Sequence, residues 1–260
     1  RVICAASFPE RVLHHAIMNV CHPIFESFQI YDSYATRIGK GQYAALDRAK
    51  QFNKQYQWFC KLDVRKYFDS ISHEILLQKL QHKFKDKELL NLFRKIIDSY
   101  EVQSGRGIPI GNLTSQYFAN FYLGFADHFI KEKLQVQAYV RYMDDMVFWS
   151  NNKTELIYKT KQFILFLKQE LHLAVKPSCI NSVAKGLPFL GYVGFKNTLN
   201  LNKLSKKRFI CRLKEYKNKY DSEIWTQKQY SLHVTPLIAF TQYANTTNLR
   251  HRLLCELEAG

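Results

Sequence analysis

The feature that most restricts how this chain can fold is the pair Asp144-Asp145, set inside the β-former-rich run Tyr139 to Trp149. A run of that composition reads as two short strands, and Met143-Asp144-Asp145-Met146 is its one interruption, so the pattern predicts a hairpin turning at the acids. Adjacent carboxylates between apolar strands repel each other and lose hydration, and something must offset both effects. A solvated turn is one answer, since Asp is a favoured turn residue. A metal site completed by a third carboxylate is the other. Asp63, at the end of the bulky run Trp58-Phe59-Cys60-Lys61-Leu62, is the candidate for that third ligand. Three carboxylates around two hard cations suit phosphoryl transfer, because Mg²⁺ prefers oxygen ligands and two ions can serve both the attacking and the leaving oxygen. Spacing alone does not bring Asp63 to acids 81 and 82 positions away.

The chain has 260 residues, with 38 Lys+Arg against 22 Asp+Glu and a formal net charge of +16. That excess points to a polyanionic partner. A hydrophobic content of 47% suffices for a packed core and excludes a disordered or collagen-like chain. Six scattered cysteines with no C-x-x-C pair argue against a zinc ribbon or a secreted disulfide framework, and for a cytoplasmic setting. The longest aromatic-rich apolar stretch, Tyr117 to Ala126, is about half the roughly 20 residues that a membrane span needs. No membrane is expected. No signal peptide opens the chain, and a start at Arg1 rather than Met is what a fragment or processed chain would have.

Hydrophobic periodicity predicts a helix from Phe8 interrupted at Pro23, a flexible basic loop over Ser33 to Gly41, and a helix over Ala44 to Phe52. A strand then ends at Asp63. Two amphipathic helices follow, around Ile75 to Leu80 and Leu89 to Ile96, with Asp69, Ser70 or Ser72 as caps. A long helix covers Ser115 to Leu134, another Thr154 to Glu170, and Gly186 to Phe195 reads as a second small hairpin. From Lys196 to Lys219 there are nine basic residues and one acid. Leu204, Phe209, Leu213 and Tyr216 interleave with them, as on a helix that packs one side and turns its basic side to a nucleic-acid backbone. A solvated helical face would have the same charge pattern. His14, His15, Cys21 and His22 do not share one helical face in a tetrahedral arrangement, so zinc is not expected there.

Tyr142-Met143-Asp144-Asp145 resembles the Y-x-D-D signature of reverse transcriptases. Asp63-Val64-Arg65-Lys66-Tyr67-Phe68 is similar to their first palm motif, an Asp followed five positions later by an aromatic residue. Ile110-Gly111-Asn112-Leu113-Thr114-Ser115-Gln116 stands where most members have Q-G-x-x-x-S-P, and its I-G-x-x-x-S-Q form resembles the enzymes of diversity-generating retroelements. Phe189-Leu190-Gly191-Tyr192 looks like the primer grip, and R-V-L-H-H-A with S-Y-A-T-R-I-G-K-G resembles bacterial finger motifs. In joint order these matches span about Arg1 to Phe195.

The resemblance implies an α/β (α+β) right-hand polymerase fold: fingers over 1–57, a palm of antiparallel sheet backed by helices over 58–195 with part of the fingers, and a basic helical thumb over 196–260. It implies RNA-directed DNA synthesis with two Mg²⁺ ions, or Mn²⁺, held by Asp63, Asp144, Asp145 and the Val64 carbonyl. Phe68 is implied as a steric gate against a 2′-hydroxyl. Arg1, Lys66, Tyr67, Ile110, Gly111, Gln116 and Lys176 are implied as nucleotide-binding residues, with Lys176 as general acid for pyrophosphate. Loss of the usual Gln at Ile110 and of the usual Pro at Gln116 implies looser checking of the nascent pair and errors opposite template adenine. The implied partners are template RNA, primer or cDNA, dNTPs and a basic accessory variability determinant protein, in a bacterial or phage-encoded setting. An accurate group II intron- or retron-type enzyme and a catalytically idle RNA-binding module with the same fold are the alternatives.

Overall fold

The computed structural model describes residue 4 and residues 6–258. Chain contacts divide it into two compact units, one of residues 1–48 and 58–181, the other of residues 49–57 and 182–260. The helix α2 (Gln42–Gln55) contributes to both.

The first unit is built on a four-stranded sheet in the order β2-β3-β1-β4, with β1 at Trp58–Asp63, β2 at Tyr139–Tyr142, β3 at Asp145–Ser150 and β4 at Cys179–Ser182. β3 pairs antiparallel with both β2 and β1. Its interior residues Met146 to Trp149 are all buried, as are Phe59, Cys60 and Leu62 of β1, so these strands are covered on both faces and their continuous apolar runs follow. The covering helices include α1 (Phe8–Phe28), α6 (Leu113–His128) and α7 (Lys153–Glu170). Between β1 and α6 lie the short α3 (Tyr67–Ser70) and the pair α4 (His73–Lys83) and α5 (Lys87–Asp98). Ser72 and Asp86 cap α4 and α5 through side-chain bonds to Ile75 N–H and Leu89 N–H.

Pro23 does not interrupt α1, contrary to expectation. Proline removes one N–H from the helix ladder, but Phe25 and Phe28, both just beyond it, pack on Tyr117, Phe118, Phe121 and Phe125 of α6, and tertiary packing overrides the local preference. α6 ends at His128 and continues as a single π-helical turn, Phe129–Lys133. The Ser33 to Gly41 segment is no free basic loop either. Arg37 is spent on Glu26, at 2.6 Å, and on the carbonyls of Ile30 and Ser33.

The second unit contains a three-stranded antiparallel sheet, β5 (Leu187–Phe189), β6 (Tyr192–Gly194) and β7 (Leu199–Leu201), and the helices α8 (Lys203–Asp221), α9 (Gln227–Gln242) and α10 (Thr247–Glu258). Phe209 and Leu213 of α8 bury against Leu253 of α10, with Val234 and Leu237 of α9 beside them. Leu204, expected on the packed side, is exposed; at about 100° per residue it stands roughly 140° and 180° around the helix from Phe209 and Leu213, on the opposite face.

Candidate active site

The register sets the site. Asp63, last in β1, stands directly opposite Asp145, first in β3, and Asp145 is also paired with Tyr142 of β2. Directly opposed residues carry their Cβ atoms about 4.5–5.5 Å apart on one face, so two carboxylates 82 positions apart are held together by the sheet. Met143 and Asp144 form the two-residue loop of the β2–β3 hairpin, narrower than the four-residue interruption expected. Met143 has φ of 51°, a left-handed conformation that non-glycine residues seldom adopt.

Opposed like charges destabilise a strand pair, and two lysines offset them. Lys61, diagonal to Asp145 across the pair, brings Nζ to 3.0 Å from Asp145 Oδ1. Lys176 donates to Asp63 Oδ2 at 2.8 Å. Its position follows from the backbone: Arg65 N–H donates to the Ala174 carbonyl and Lys176 N–H to the Asp63 carbonyl, which lays residues 174–176 along 63–65. Val64 and Val175 then form the non-hydrogen-bonded pair of that bridge, turning the Val64 C=O away from Val175. Even so, Asp63 Oδ1 and Asp145 Oδ1 are buried and accept no hydrogen bond, the Lys61 contact being close but not aligned as one. Orphaned buried carboxylate oxygens are costly without a cation or donor. The donor set, hard oxygens from three aspartates, suits Mg²⁺ or Mn²⁺. Among the described residues no three acids stand close enough together, as placed, to enclose an ion.

Around these acids, Lys66 is exposed in a left-handed conformation (φ 44°, ψ 51°). The Tyr67 side chain is buried, its hydroxyl donating to the Ala119 carbonyl at 2.5 Å, so a nucleotide contact by Tyr67 is left to its backbone. Burial pushes that phenol's pKa far up. Phe68 is half-buried, edge-on to Tyr67. In the Ile110 to Gln116 segment, the Ile110 carbonyl accepts from Cys4 N–H and Asn112 Oδ1 from Ala6 N–H. Gln116 Oε1 accepts from Thr36 Oγ1 at 3.4 Å, joining the Ser33 to Gly41 segment to this motif. Arg1 lies outside the described residues.

Phe189 to Tyr192 belong to the second unit. Phe189 pairs with Tyr192 around a two-residue loop in which Leu190 and Gly191 both have positive φ, 48° and 91°, the conformation of a type I′ turn. A Cβ on Gly191 would meet Ser205 Oγ at 3.1 Å and Phe240 Cζ at 3.2 Å, and the Tyr192 hydroxyl donates to the Phe240 carbonyl. The hairpin is thereby fastened to α8 and α9. On α8, Lys217 pairs with Asp221 and Lys219 with Glu215, whereas Lys206, Lys207, Arg208, Arg212 and Lys214 are exposed and make no ion pair among the described residues. Arg208 and Arg212 line a cleft of about 420 Å³ together with Tyr216, His233 and Phe240.

One group of residues escaped the sequence reading. Arg141, fully buried, donates in a fork to Asp127, which is fully buried too. The available signal was a single charge inside each of two apolar runs.

Residues 1–193 match the family described as Reverse transcriptase (RNA-dependent DNA polymerase). The chain is 25% identical over 130 residues to the group II intron-encoded protein LtrA of Lactococcus lactis subsp. cremoris, covering 48% of this chain and 22% of that one. It is 25% identical over 133 residues to the Putative COX1/OXI3 intron 2 protein of Saccharomyces cerevisiae (48% and 16%), and 23% identical over 155 residues to Protein YkfC of Escherichia coli (55% and 40%). It thus spans less than half the length of these relatives. Among solved structures, telomerase from Candida tropicalis in complex with a TWJ fragment of telomeric RNA aligns with a TM-score of 0.57 at 14% identity, covering 86% of this chain and 44% of that one. The apo telomerase truncated from its C-terminal domain gives 0.57 at 13% (72% and 45%). The fold is that of a right-hand polymerase.

Proposed function

The chain belongs to the reverse transcriptase family, and from that premise we propose that it synthesises DNA on an RNA template, with Asp63, Asp144 and Asp145 as metal-holding catalytic residues. The observation that carries this is the opposition of Asp63 and Asp145 at the end of the sheet, each with a buried oxygen that accepts no hydrogen bond. Divalent cations bound there supply activation of the primer 3′-hydroxyl and charge balance at the leaving pyrophosphate.

The remaining roles fall to the chain's own groups. Lys61 and Lys176 hold the carboxylates against their mutual repulsion, and Lys176, exposed beside Asp63, has a proton to give to pyrophosphate. The Val64 carbonyl, turned away from its bridge partner, is the further oxygen ligand. The Phe68 ring excludes a 2′-hydroxyl, and the backbones of Lys66 and Tyr67 with Arg1 hold the triphosphate. Ile110, Gly111 and Gln116 face the nascent pair. The Phe189 to Tyr192 hairpin grips the primer, and the unpaired cations of α8 follow the template–primer backbone. In this reading, residues 1–57 act as fingers, 58–195 as palm and 196–260 as thumb.

We place the enzyme in a diversity-generating retroelement, where a basic accessory protein would assist it, because Ile110 and Gln116 replace the family's usual Gln and Pro. An accurate intron-type enzyme is the second reading, favoured by the similarity to LtrA. Primer extension on a mixed-sequence RNA with dNTPs and Mg²⁺, followed by cDNA sequencing, separates the two. Errors concentrated opposite adenine are expected; uniformly accurate cDNA would move the chain to the intron type.

A further inference from the structure

A buried side chain ties the loop that carries Asp144 to the interior. Arg141 Nη1 donates to the Met143 carbonyl at 3.2 Å, one peptide unit before Asp144. The same guanidinium is held on every side. Nε and Nη2 grip the Asp127 carboxylate at 2.7–2.9 Å, Nη1 also donates to Asn120 Oδ1 at 3.0 Å, and Nη2 to Gln29 Oε1 at 3.0 Å. Asp127 accepts a further bond from the Tyr139 hydroxyl at 2.7 Å, and Asn120 Nδ2 donates to the Ala35 carbonyl at 2.7 Å. Asn120 and Asp127 are seven residues, two helical turns, apart on α6 and therefore share one face.

A buried ion pair is weak evidence for stability, because apolar residues of the same volume often serve as well. Its value lies in direction: a planar fork bound by a carboxylate has one orientation. Met143 is in a left-handed conformation that a free loop would leave, and the Arg141 bond opposes that escape. We propose that Arg141 is a positioning residue for the catalytic carboxylates, with Asp127, Asn120 and Tyr139 fixing the fork that pins the Met143 carbonyl. The inference rests on the assignment of Asp144 and Asp145 as metal-holding residues. Arg141 touches neither metal nor nucleotide; it acts through the loop.

The test is Arg141→Lys, which keeps a cation for Asp127 but loses the fork and, with it, the Met143 bond. At a temperature where the variant is folded by circular dichroism, kcat for primer extension should fall about 10- to 100-fold with KM for dNTP unchanged. The Mn²⁺ concentration that half-saturates the thermal-stability increase, read on the protein alone, should rise about tenfold. Tyr139→Phe removes one anchor from Asp127 while leaving the charge pair whole, and should shift both readouts the same way by a smaller factor. A merely structural role lowers stability without moving either. Wild-type kcat and Mn²⁺ response in whichever of the two variants fold would overturn the inference. Absence of both extension and Mn²⁺ response in the wild type would instead sink the site assignment and this inference with it.

Discussion

At the scale of single residues, the chain places charge where burial makes it expensive and then compensates it specifically. Asp63 and Asp145 face each other with Lys176 and Lys61 as counter-cations, and Arg141 and Asp127 neutralise each other in the core. Asp144 and Asp145 were legible in sequence because two acids between apolar strands demand an explanation. Lys61 and Arg141 were not, because an ordinary-looking cation gains its meaning from a partner that only register or helix phase supplies. His14 makes a further test at this scale. It is buried, its Nδ1 accepts or donates no hydrogen bond, and burial pushes its pKa down from 6.5, with Glu10 opposing and His15 adding to the shift. The unfolded chain therefore binds the proton more tightly. The neutral imidazole's contribution is complete above pH 6.5 and is lost as pH falls through the lower folded-state value. Urea unfolding from pH 7 to pH 5 should show the wild type losing stability relative to His14→Leu; parallel curves would refute the burial argument.

At the scale of elements, existence and type were largely readable, and the failures have physical causes. The helix through Pro23 persists because its aromatic face packs on α6, a tertiary effect that periodicity does not contain. β4 and β7 are short, and their strand character comes from neighbours rather than from their own composition. The α1–α6 contact also explains Gly124. A Cβ there would lie 2.6 Å from Phe28 Cε1, and that ring is already wedged against Phe121, Phe125 and His128. Gly124→Ala gains about 1 kcal/mol in helix propensity but forces an overpacked aromatic cluster apart at about 1–3 kcal/mol. Its urea midpoint should fall below that of the wild type; an equal or higher midpoint would show that the interface has slack.

At the scale of the whole molecule, composition and fold point the same way. A net charge of +16, with Lys206, Lys207, Arg208, Arg212 and Lys214 of α8 exposed and in no ion pair among the described residues, suits a polyanion, and the proposed work of the carboxylates at the end of the sheet is on one. The family and the meeting of Asp63 with Asp145 could be inferred from ordered motifs, whereas the division into units at 181/182 could not, because no Gly/Ser or Pro-rich linker marks it. The central claim is that Asp63, Asp144 and Asp145 run metal-dependent DNA synthesis on RNA. Primer extension on a defined RNA template with dNTPs and Mg²⁺, wild type beside Asp145→Ala, tests it most directly. The account predicts Mg²⁺-dependent extension by the wild type and its loss in Asp145→Ala at a temperature where circular dichroism shows the variant folded. Extension that survives undiminished in Asp145→Ala would contradict it.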